Sequence, residues 1–206
     1  MKVPYRIGHS LFRRLSRGLF HFDVIGRENL IESGGCLVAS NHESFLDPPF
    51  IGCSFENEVY YLARKTLFKK GIIEWIYRAW NSIPVDQQNP GASTLKAVIK
   101  LLKSGQRVVV FPEGQRSHDG VIGSAEPGVG MMVAKANVPV LPVRIFGAHE
   151  ALPRGRKLPR PKQVTLVVGK PIYFDGDEYQ GRGSELYQRI ADDILVAIGE
   201  LDLPGR

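Results

Sequence analysis

A histidine and an aspartate five residues apart, His42 and Asp47, are the pair in this chain best suited to acid–base chemistry. An aspartate bonded to one ring nitrogen fixes the histidine tautomer and leaves the other nitrogen free to accept a proton. Five residues of regular helix turn through about 500°, so the two side chains can meet only if His42 precedes a helix and Asp47 lies near its first turn. The alternative is an ordinary capped turn whose histidine is merely polar and exposed.

The elements around this pair predict a strand, a loop and a helix. The apolar run 36–40 indicates a buried strand, and Pro48 with Pro49 suits a helix start. A second buried strand is predicted at 107–111. Strands alternate with helices along the chain, which predicts an α/β fold with a mostly parallel central sheet flanked by helices. Ligands gather at the carboxyl ends of the strands in such a sheet, and both strands end there in polar loops.

The loop after the second strand carries the groups that an anionic substrate requires. Arg116 offers a planar fork for phosphate, and Gly114 lets the backbone approach a ligand closely. Glu113 is suited either to orient Arg116 or to accept a hydrogen bond from a substrate hydroxyl. The alternative is a surface turn in which Glu113 and Arg116 pair with each other.

The N-terminal stretch 4–22 predicts a basic amphipathic helix. Its apolar residues recur at spacings of three and four, and its arginines occupy the other side. The apolar positions are Tyr5, Gly8, Leu11, Phe12, Leu15, Leu19 and Phe22, and the arginines are Arg6, Arg13, Arg14 and Arg17. Such a helix can lie in a membrane interface, or it can pack as a surface helix on the domain; the two are compatible. We therefore divide the chain into a membrane-interface helix at 1–24 and a main domain at 25–206.

Three further segments leave alternatives open. A helix capped by Thr66 and running to about Trp80 is rich in aromatic and apolar residues, which suits either the core or the wall of a lipid-chain pocket. The strand 138–146 contains two prolines, which predicts that it is irregular or at a sheet edge over part of its length. The loop 149–162 is either a solvated connection or a contact for phosphate head groups or an acidic carrier. Its basic residues are Arg154, Arg156, Lys157, Arg160 and Lys162.

Composition narrows the function classes. The chain has 206 residues and a formal charge of +6, which favours an anionic partner such as nucleic acid, anionic lipid or an acidic carrier protein. No nucleic-acid motif, nucleotide-binding loop, serine-hydrolase elbow or metal-ligand spacing is present in the sequence. No apolar segment reaches the ~18 residues that a membrane span requires. Cys36 and Cys53 are predicted to be free, buried thiols in a reducing compartment.

Taken in order, four blocks of this sequence resemble the glycerolipid acyltransferase family, and most closely its bacterial, PlsC-like lysophosphatidic acid acyltransferases. The blocks are Asn41-His42-x-x-x-x-Asp47, Ser82-Ile83-Pro84-Val85-Asp86, Phe111-Pro112-Glu113-Gly114-x-Arg116-Ser117 and Val138-Pro139-Val140-Leu141-Pro142-Val143. The basic segment Arg64-Lys65 resembles one that the family carries between the first two blocks. The resemblance covers roughly residues 35–175.

The resemblance implies that the main domain is an acyltransferase that moves an acyl group from a thioester to the hydroxyl of a lysolipid, most closely lysophosphatidic acid. His42 would be the general base and Asp47 would hold it, without a covalent acyl-enzyme. Glu113, Gly114 and Arg116 would form the acceptor site. Acyl-coenzyme A or acyl carrier protein would be the co-substrate, with no cofactor, metal or nucleic acid. The enzyme would act at the cytoplasmic face of the membrane, attached peripherally.

Two departures from the family pattern bear on the acceptor. Gln87 stands where the second block normally has a phosphate-contacting arginine, and Gln115 stands where the third block has Thr or Ser. Either Arg64, Lys65 or Arg144 compensates for the lost charge, or the acceptor is another lysolipid, such as a lyso-aminolipid. A lipid-binding protein that kept the fold but not the chemistry is the alternative from another class.

Overall fold

A computed structural model of the protein describes residues 2–68, 71–85, 92–181 and 183–205. Within them a seven-stranded sheet runs in the order β1-β7-β6-β2-β5-β3-β4. All its strand pairs are parallel except β6 with β7. The strands are β1 (Asp23–Ile25), β2 (Cys36–Ser40), β3 (Tyr60–Arg64), β4 (Ser82–Val85), β5 (Arg107–Val110), β6 (Val140–Phe146) and β7 (Thr165–Val168).

Helices cover both faces of this sheet, so the predicted α/β fold with a mostly parallel sheet is confirmed. They are α1 (Val3–Phe20), α2 (Asp47–Ser54), α3 (Ile72–Ala79), α4 (Ala92–Lys103), α5 (Pro127–Ala136), α6 (Ala148–Ala151) and α7 (Ser184–Gly199). Short 3-10 turns lie at Arg27–Asn29, Lys65–Leu67 and Asp177–Tyr179. Helices α1 and α2 pack on one face, while α4, α5 and α7 pack on the other.

Strand β2 shows how the two cores form, because successive strand residues point to opposite faces. Cys36 and Val38 enter the core beneath α1 and α2, whereas Leu37 and Ala39 enter the core beneath α4, α5 and α7. All five residues of β2 are buried, as expected for a central parallel strand. Cys36 and Cys53 are free and buried, as predicted, and burial raises the pKa of the Cys36 thiol to about 12.

The proline-containing strand is interior and not at a sheet edge, but its ladder with β7 covers only part of its length, from Val143 to Phe146. Strand β6 lies between β2 and β7, and its register with β2 runs unbroken through Pro142. The carbonyl of Pro142 accepts from the Gly169 amide at 2.9 Å, so its polar edge faces β7. The antiparallel ladder with β7 ends one residue later, at Val143. The missing proline amide therefore falls beyond the end of that ladder, where it costs little.

Helix α1 has apolar residues on two sides. Tyr5 and Phe20 are buried in the core, and Phe12 packs against it. A second set, placed every fourth residue, faces solvent and is between 50% and 65% exposed: Val3, Ile7, Leu11 and Leu15. Leu11 and Leu15 therefore lie apart from the buried side to which the sequence periodicity assigned them. The boundary after residue 24 stays a prediction, and β1 crosses it.

Helix α3 begins later than the sequence predicts. Thr66 lies in a 3-10 turn, and the α-helix starts at Ile72. All residues of α3 are exposed or half-buried, so it is not a core helix. Its exposed apolar residues are Ile72, Ile73, Trp75 and Ile76. None of the helices in the described part of the chain is both long and apolar enough to cross a membrane.

Candidate active site

His42 and Asp47 meet as their spacing predicts. His42 lies in the loop after β2, and Asp47 is the first residue of α2. The imidazole Nδ1 lies 2.7 Å from Asp47 Oδ2. A carboxylate oxygen accepts, so Nδ1 donates and Nε2 keeps its lone pair for a substrate proton. The ring also stacks on Phe111 from the loop after β5, with centroids 3.9 Å apart. The alternative of an exposed histidine in a plain turn does not hold.

The Asp47 carboxylate is held in place by the loop that precedes its own helix. The backbone amides of Glu43 and Ser44 each donate to Oδ2 at 2.7 Å, so one oxygen accepts three hydrogen bonds. Pro48 and Pro49 follow in the first turn, where amide hydrogens have no partner in the helix. Asp47 is fully buried, and the carboxylate also suits the positive end of the helix dipole.

The loop after β5 is hydrogen-bonded to both the amide and the carbonyl of His42. The His42 amide donates to Glu113 Oε1 at 2.9 Å, and the His42 carbonyl accepts from the Ser117 amide at 2.7 Å. The other oxygen of Glu113 accepts from the Gly123 amide at 2.9 Å. Both carboxylate oxygens of Glu113 are thus used by backbone amides. Glu113 therefore holds the two loops together, and its predicted roles toward Arg116 or a substrate hydroxyl stay predictions.

Gly114 makes the turn between Glu113 and Arg116 possible. Its φ of +67° is in the left-handed region, which side chains disfavour. Its amide donates to the Phe111 carbonyl at 3.0 Å. A Cβ here would also lie 3.2 Å from Glu126. The glycine is therefore required by the tight turn that brings Arg116 back toward His42.

A cleft of about 390 Å³ lies against the dyad, at the carboxyl ends of β2, β5 and β3. His42, Arg116 and Arg64 all line it, so the predicted convergence of the histidine with Arg116 is confirmed. The rest of its lining is mostly apolar and aromatic. It comprises Phe45, Pro48, Pro49, Tyr61, Leu62, Ala63, Thr66, Leu67, Ile76, Tyr77, Trp80, Ser82, Phe111 and Gln115. The segment 66–80 thus contributes a cleft wall, one of its two predicted roles.

Arg116 is poised to bind an anion. Its guanidinium carbon lies 3.6 Å from the centre of the Phe45 ring, a cation–π contact that fixes its position. Its Nη1 is buried and has no hydrogen-bond partner among the described residues. Burial, followed by the positive charges of Arg154 and Arg64, lowers the pKa of Arg116. The site therefore offers an unused donor in a positive field.

A second buried carboxyl, Glu43, lies beside the dyad. Its oxygens accept from Asn41 Nδ2 at 2.9 Å and from the His149 amide at 3.3 Å. Burial raises the pKa of Glu43 to about 8, and the negative charge of Asp47 adds to the effect. Asn41 in turn exchanges hydrogen bonds with the Ile145 backbone. The end of β2 is thereby tied to the end of β6.

Not every predicted binding residue reaches the cleft. The Arg144 guanidinium donates to the Gly199 and Leu201 carbonyls at 2.7 and 2.8 Å, where it caps the end of α7. It does not line the cleft, since strand alternation directs it elsewhere. Lys65 is exposed beside the cleft without lining it. The prediction on Gln87 lies outside the described residues.

Two contributors were not identified from the sequence. Phe45 supports Arg116, and Tyr61 forms part of the cleft wall. The position of Phe45 between His42 and Asp47 was the one available signal. No spacing rule links it to an arginine that follows 71 residues later in the chain. Among the described residues, no group of His, Cys, Asp and Glu is placed to hold a metal ion.

Comparison with known proteins gives a consistent result. The family described as Acyltransferase matches residues 21–146. The chain is 32% identical over 155 residues to the chloroplastic 1-acyl-sn-glycerol-3-phosphate acyltransferase BAT2 of Brassica napus, covering 73% of this chain and 45% of that one. It is 29% identical over 151 residues to the 1-acyl-sn-glycerol-3-phosphate acyltransferase of Bacillus subtilis, covering 73% of each.

A solved structure agrees over almost the whole chain. The crystal structure of the 1-acyl-sn-glycerophosphate acyltransferase PlsC from Thermotoga maritima superposes with a TM-score of 0.75 at 29% identity. The match covers 98% of this chain and 81% of that one. The chain thus spans most of the bacterial proteins, but less than half of the Brassica napus protein.

Proposed function

The chain belongs to the acyltransferase family, and from that premise we propose that it transfers a fatty acyl group from a thioester to the free hydroxyl of lysophosphatidic acid, giving phosphatidic acid. The observation that carries the proposal is the meeting of the His42–Asp47 pair and Arg116 in one cleft. The pair supplies a base, the arginine an anion site and the apolar wall a place for a hydrocarbon chain.

The geometry supports a direct transfer. Nε2 of His42 would take the proton from the acceptor hydroxyl while its oxygen attacks the thioester carbonyl. The tetrahedral intermediate would then collapse, the carbon–sulfur bond would break, and the thiolate would take the proton from His42. Asp47 holds the imidazole through Nδ1. General-base assistance of this kind contributes about 10²–10⁴-fold.

The acyl donor would be acyl-coenzyme A or acyl carrier protein. Both present a phosphopantetheine thioester and carry negative charge, which suits a protein of charge +6. The donor and acceptor together supply all the atoms of the reaction, so the proposal includes no cofactor.

Attachment would be peripheral, at the cytoplasmic face of the membrane. The exposed apolar stripe of α1 is the observation that favours it, since its core-facing side is already buried. Arg6, Arg14 and Arg17 lie on the same helix and suit anionic head groups. The exposed apolar residues of α3 lie beside the cleft and extend that surface.

The test is acyl transfer to lysophosphatidic acid by the purified protein, with each donor in turn. His42→Ala should lose at least about 10²-fold in rate, because the base is removed. His21→Asn is the control, since His21 is exposed and its φ of +44° is one that asparagine tolerates. Undiminished transfer by His42→Ala would rule out the proposed mechanism. Transfer to a lyso-aminolipid but not to lysophosphatidic acid would support the alternative acceptor.

A further inference from the structure

We propose that Arg154 is a further binding residue of the acceptor site, and that with Arg64 and Arg116 it holds the phosphate of the lysolipid. The inference rests on the proposed function and names residues for its phosphate site. Arg154 lies outside the four sequence blocks, in the basic loop after α6.

The first support is a chain of contacts that ties Arg154 to the loop after β5. Arg154 Nη1 contacts Nε2 of His118. The neighbouring Ser117 donates its amide to the His42 carbonyl at 2.7 Å. Arg116 precedes Ser117 in the same loop. The Arg154 side chain is thus held against the loop that carries the proposed anion-binding arginine.

The second support is that the Arg154 loop is anchored at its base. Helix α6 begins the loop, and its His149 amide donates to Glu43, the residue after His42. The Arg160 amide donates to the Ala151 carbonyl at 2.8 Å, which closes the loop on itself. Arg154 therefore projects from a closed loop whose base is tied to the histidine loop.

The third support is electrostatic. Three positive side chains lie close enough to interact electrostatically: Arg64, Arg116 and Arg154. Among the described residues none of them forms an ion pair with a carboxylate. After burial, Arg154 is the next largest cause of the lowered pKa of Arg116. Like charges held together raise the free energy of the empty site, and a phosphate would relieve this repulsion. The buried, unpaired Nη1 of Arg116 is a ready donor.

The sequence supplies the reason for an extra cation. Gln87 replaces the arginine that the family pattern normally places in the second block, and a phosphomonoester carries close to two negative charges near neutral pH. Of the compensating residues that the sequence suggested, Arg144 is engaged at the end of α7 and Lys65 does not line the cleft. Arg64 lines it. Arg154 does not itself line the cleft, but its contact with His118 places a third charge beside the loop that carries Arg116.

The experiment measures steady-state kinetics with lysophosphatidic acid for the full chain and for Arg154→Ala. We expect KM for the acceptor to rise about ten- to a hundred-fold, as for loss of a charged hydrogen bond, with kcat much less affected. Arg154→Lys should recover part of the loss. Arg156→Ala is the matched control, because Arg156 is exposed in the same loop and donates to the Leu158 carbonyl instead. Transfer to monoacylglycerol, which lacks phosphate, should be unchanged by Arg154→Ala.

A binding measurement separates this inference from the proposed function. Short-chain lysophosphatidic acid is titrated calorimetrically into His42→Ala and into His42→Ala/Arg154→Ala, where no turnover is needed. Weaker binding by the double variant, even if the wild type transfers no acyl group, would support the inference. Equal binding by the two, no binding by either, or a KM change no larger than that of Arg156→Ala would overturn it.

Discussion

Two carboxyl groups lie side by side at the heart of the site, in different surroundings. Oδ2 of Asp47 accepts three hydrogen bonds, two of them from backbone amides. Glu43 is buried with a charged neighbour, and burial raises its pKa to about 8. The neutral form of Glu43 avoids a second buried negative charge beside the base. Asp47 orients the base while Glu43 does not, and this difference comes from their surroundings, because both side chains are carboxyls.

This difference predicts a pH-dependent stability. A carboxyl whose pKa is raised by folding stabilises the native state fully below its unfolded pKa, and that contribution is lost as pH rises through the folded value, here about 8. As the pH rises from ~4.3 to 8, the unfolding free energy of the wild type should fall relative to that of Glu43→Gln. Denaturant titration measures both. The shift should reach up to about 1.4 kcal/mol per pH unit.

The test compares the pH dependence of the unfolding free energy in the two proteins, not its absolute value. The side-chain amide of glutamine has an NH2 group in place of one carboxylate oxygen of Glu43. The variant therefore loses a hydrogen bond from Asn41 or His149 at every pH. That constant cost does not alter the trend. Glu28→Gln, at an exposed position, should show no comparable trend. Parallel curves for wild type and Glu43→Gln would contradict the raised pKa.

At this scale the sequence predicted chemistry better than side-chain partners. His42, Asp47 and Arg116 meet because each follows a strand or starts a helix at the same sheet edge, which the alternation of elements makes predictable. The hydrogen bonds of Glu113 and the capping role of Arg144 depend on loop paths and on which strand face a side chain takes. Those features are tertiary, and no local pattern encodes them.

Among the elements, α1 is unusual in carrying apolar residues on opposite sides. Its buried side is bonded to the domain as well as packed on it. His9 Nε2 contacts the Phe55 carbonyl at 2.8 Å, and Arg13 pairs with Glu56. The outer stripe cannot be explained by these contacts, because its leucines and isoleucine remain in solvent. A bilayer would remove that apolar area from water.

We therefore predict that Leu11→Ser/Leu15→Ser weakens binding to vesicles of anionic phospholipid without unfolding the protein. Each leucine should contribute about 1–2 kcal/mol on insertion, so the double variant should bind roughly thirty-fold more weakly or worse. Vesicle co-sedimentation measures the loss, and thermal unfolding checks the fold. Val196→Ser is the control, because Val196 is an exposed apolar residue on α7. If the double variant bound vesicles as tightly as the wild type, the stripe would not be the part of the protein that contacts the membrane.

Elements were predictable where one signal dominated. The bounds of β2 agree with the apolar run at 36–40, because a continuous buried run is unambiguous there. Strand β1 has three residues and gains its structure by pairing with β7, which is distant in sequence. Strand β6 accommodates Pro142 because the missing amide lies beyond the end of the ladder with β7. Tertiary pairing decided both cases.

Across the whole molecule, Trp80 connects helix α1 to the cleft. It lines the cleft and also a small cavity beneath α1, which shares Pro49 and Tyr61 with the cleft wall. On its other side the indole packs against Gly8 of α1. A Cβ at Gly8 would lie 2.6 Å from the indole nitrogen. Only a glycine here lets the ring remain between helix and cleft.

Gly8→Ala should therefore push the indole toward the cleft and shorten the space for an acyl chain. Long-chain acyl donors should lose more kcat/KM than short-chain donors, measured with a series of chain lengths. Gly18→Ala is the matched control on the same helix, because its Cβ meets nothing within 4 Å. It should raise stability by up to about 1 kcal/mol, as alanine does over glycine in a helix, and leave chain preference unchanged. An unchanged preference in Gly8→Ala would mean that the indole yields in another direction and that α1 does not set the depth of the cleft.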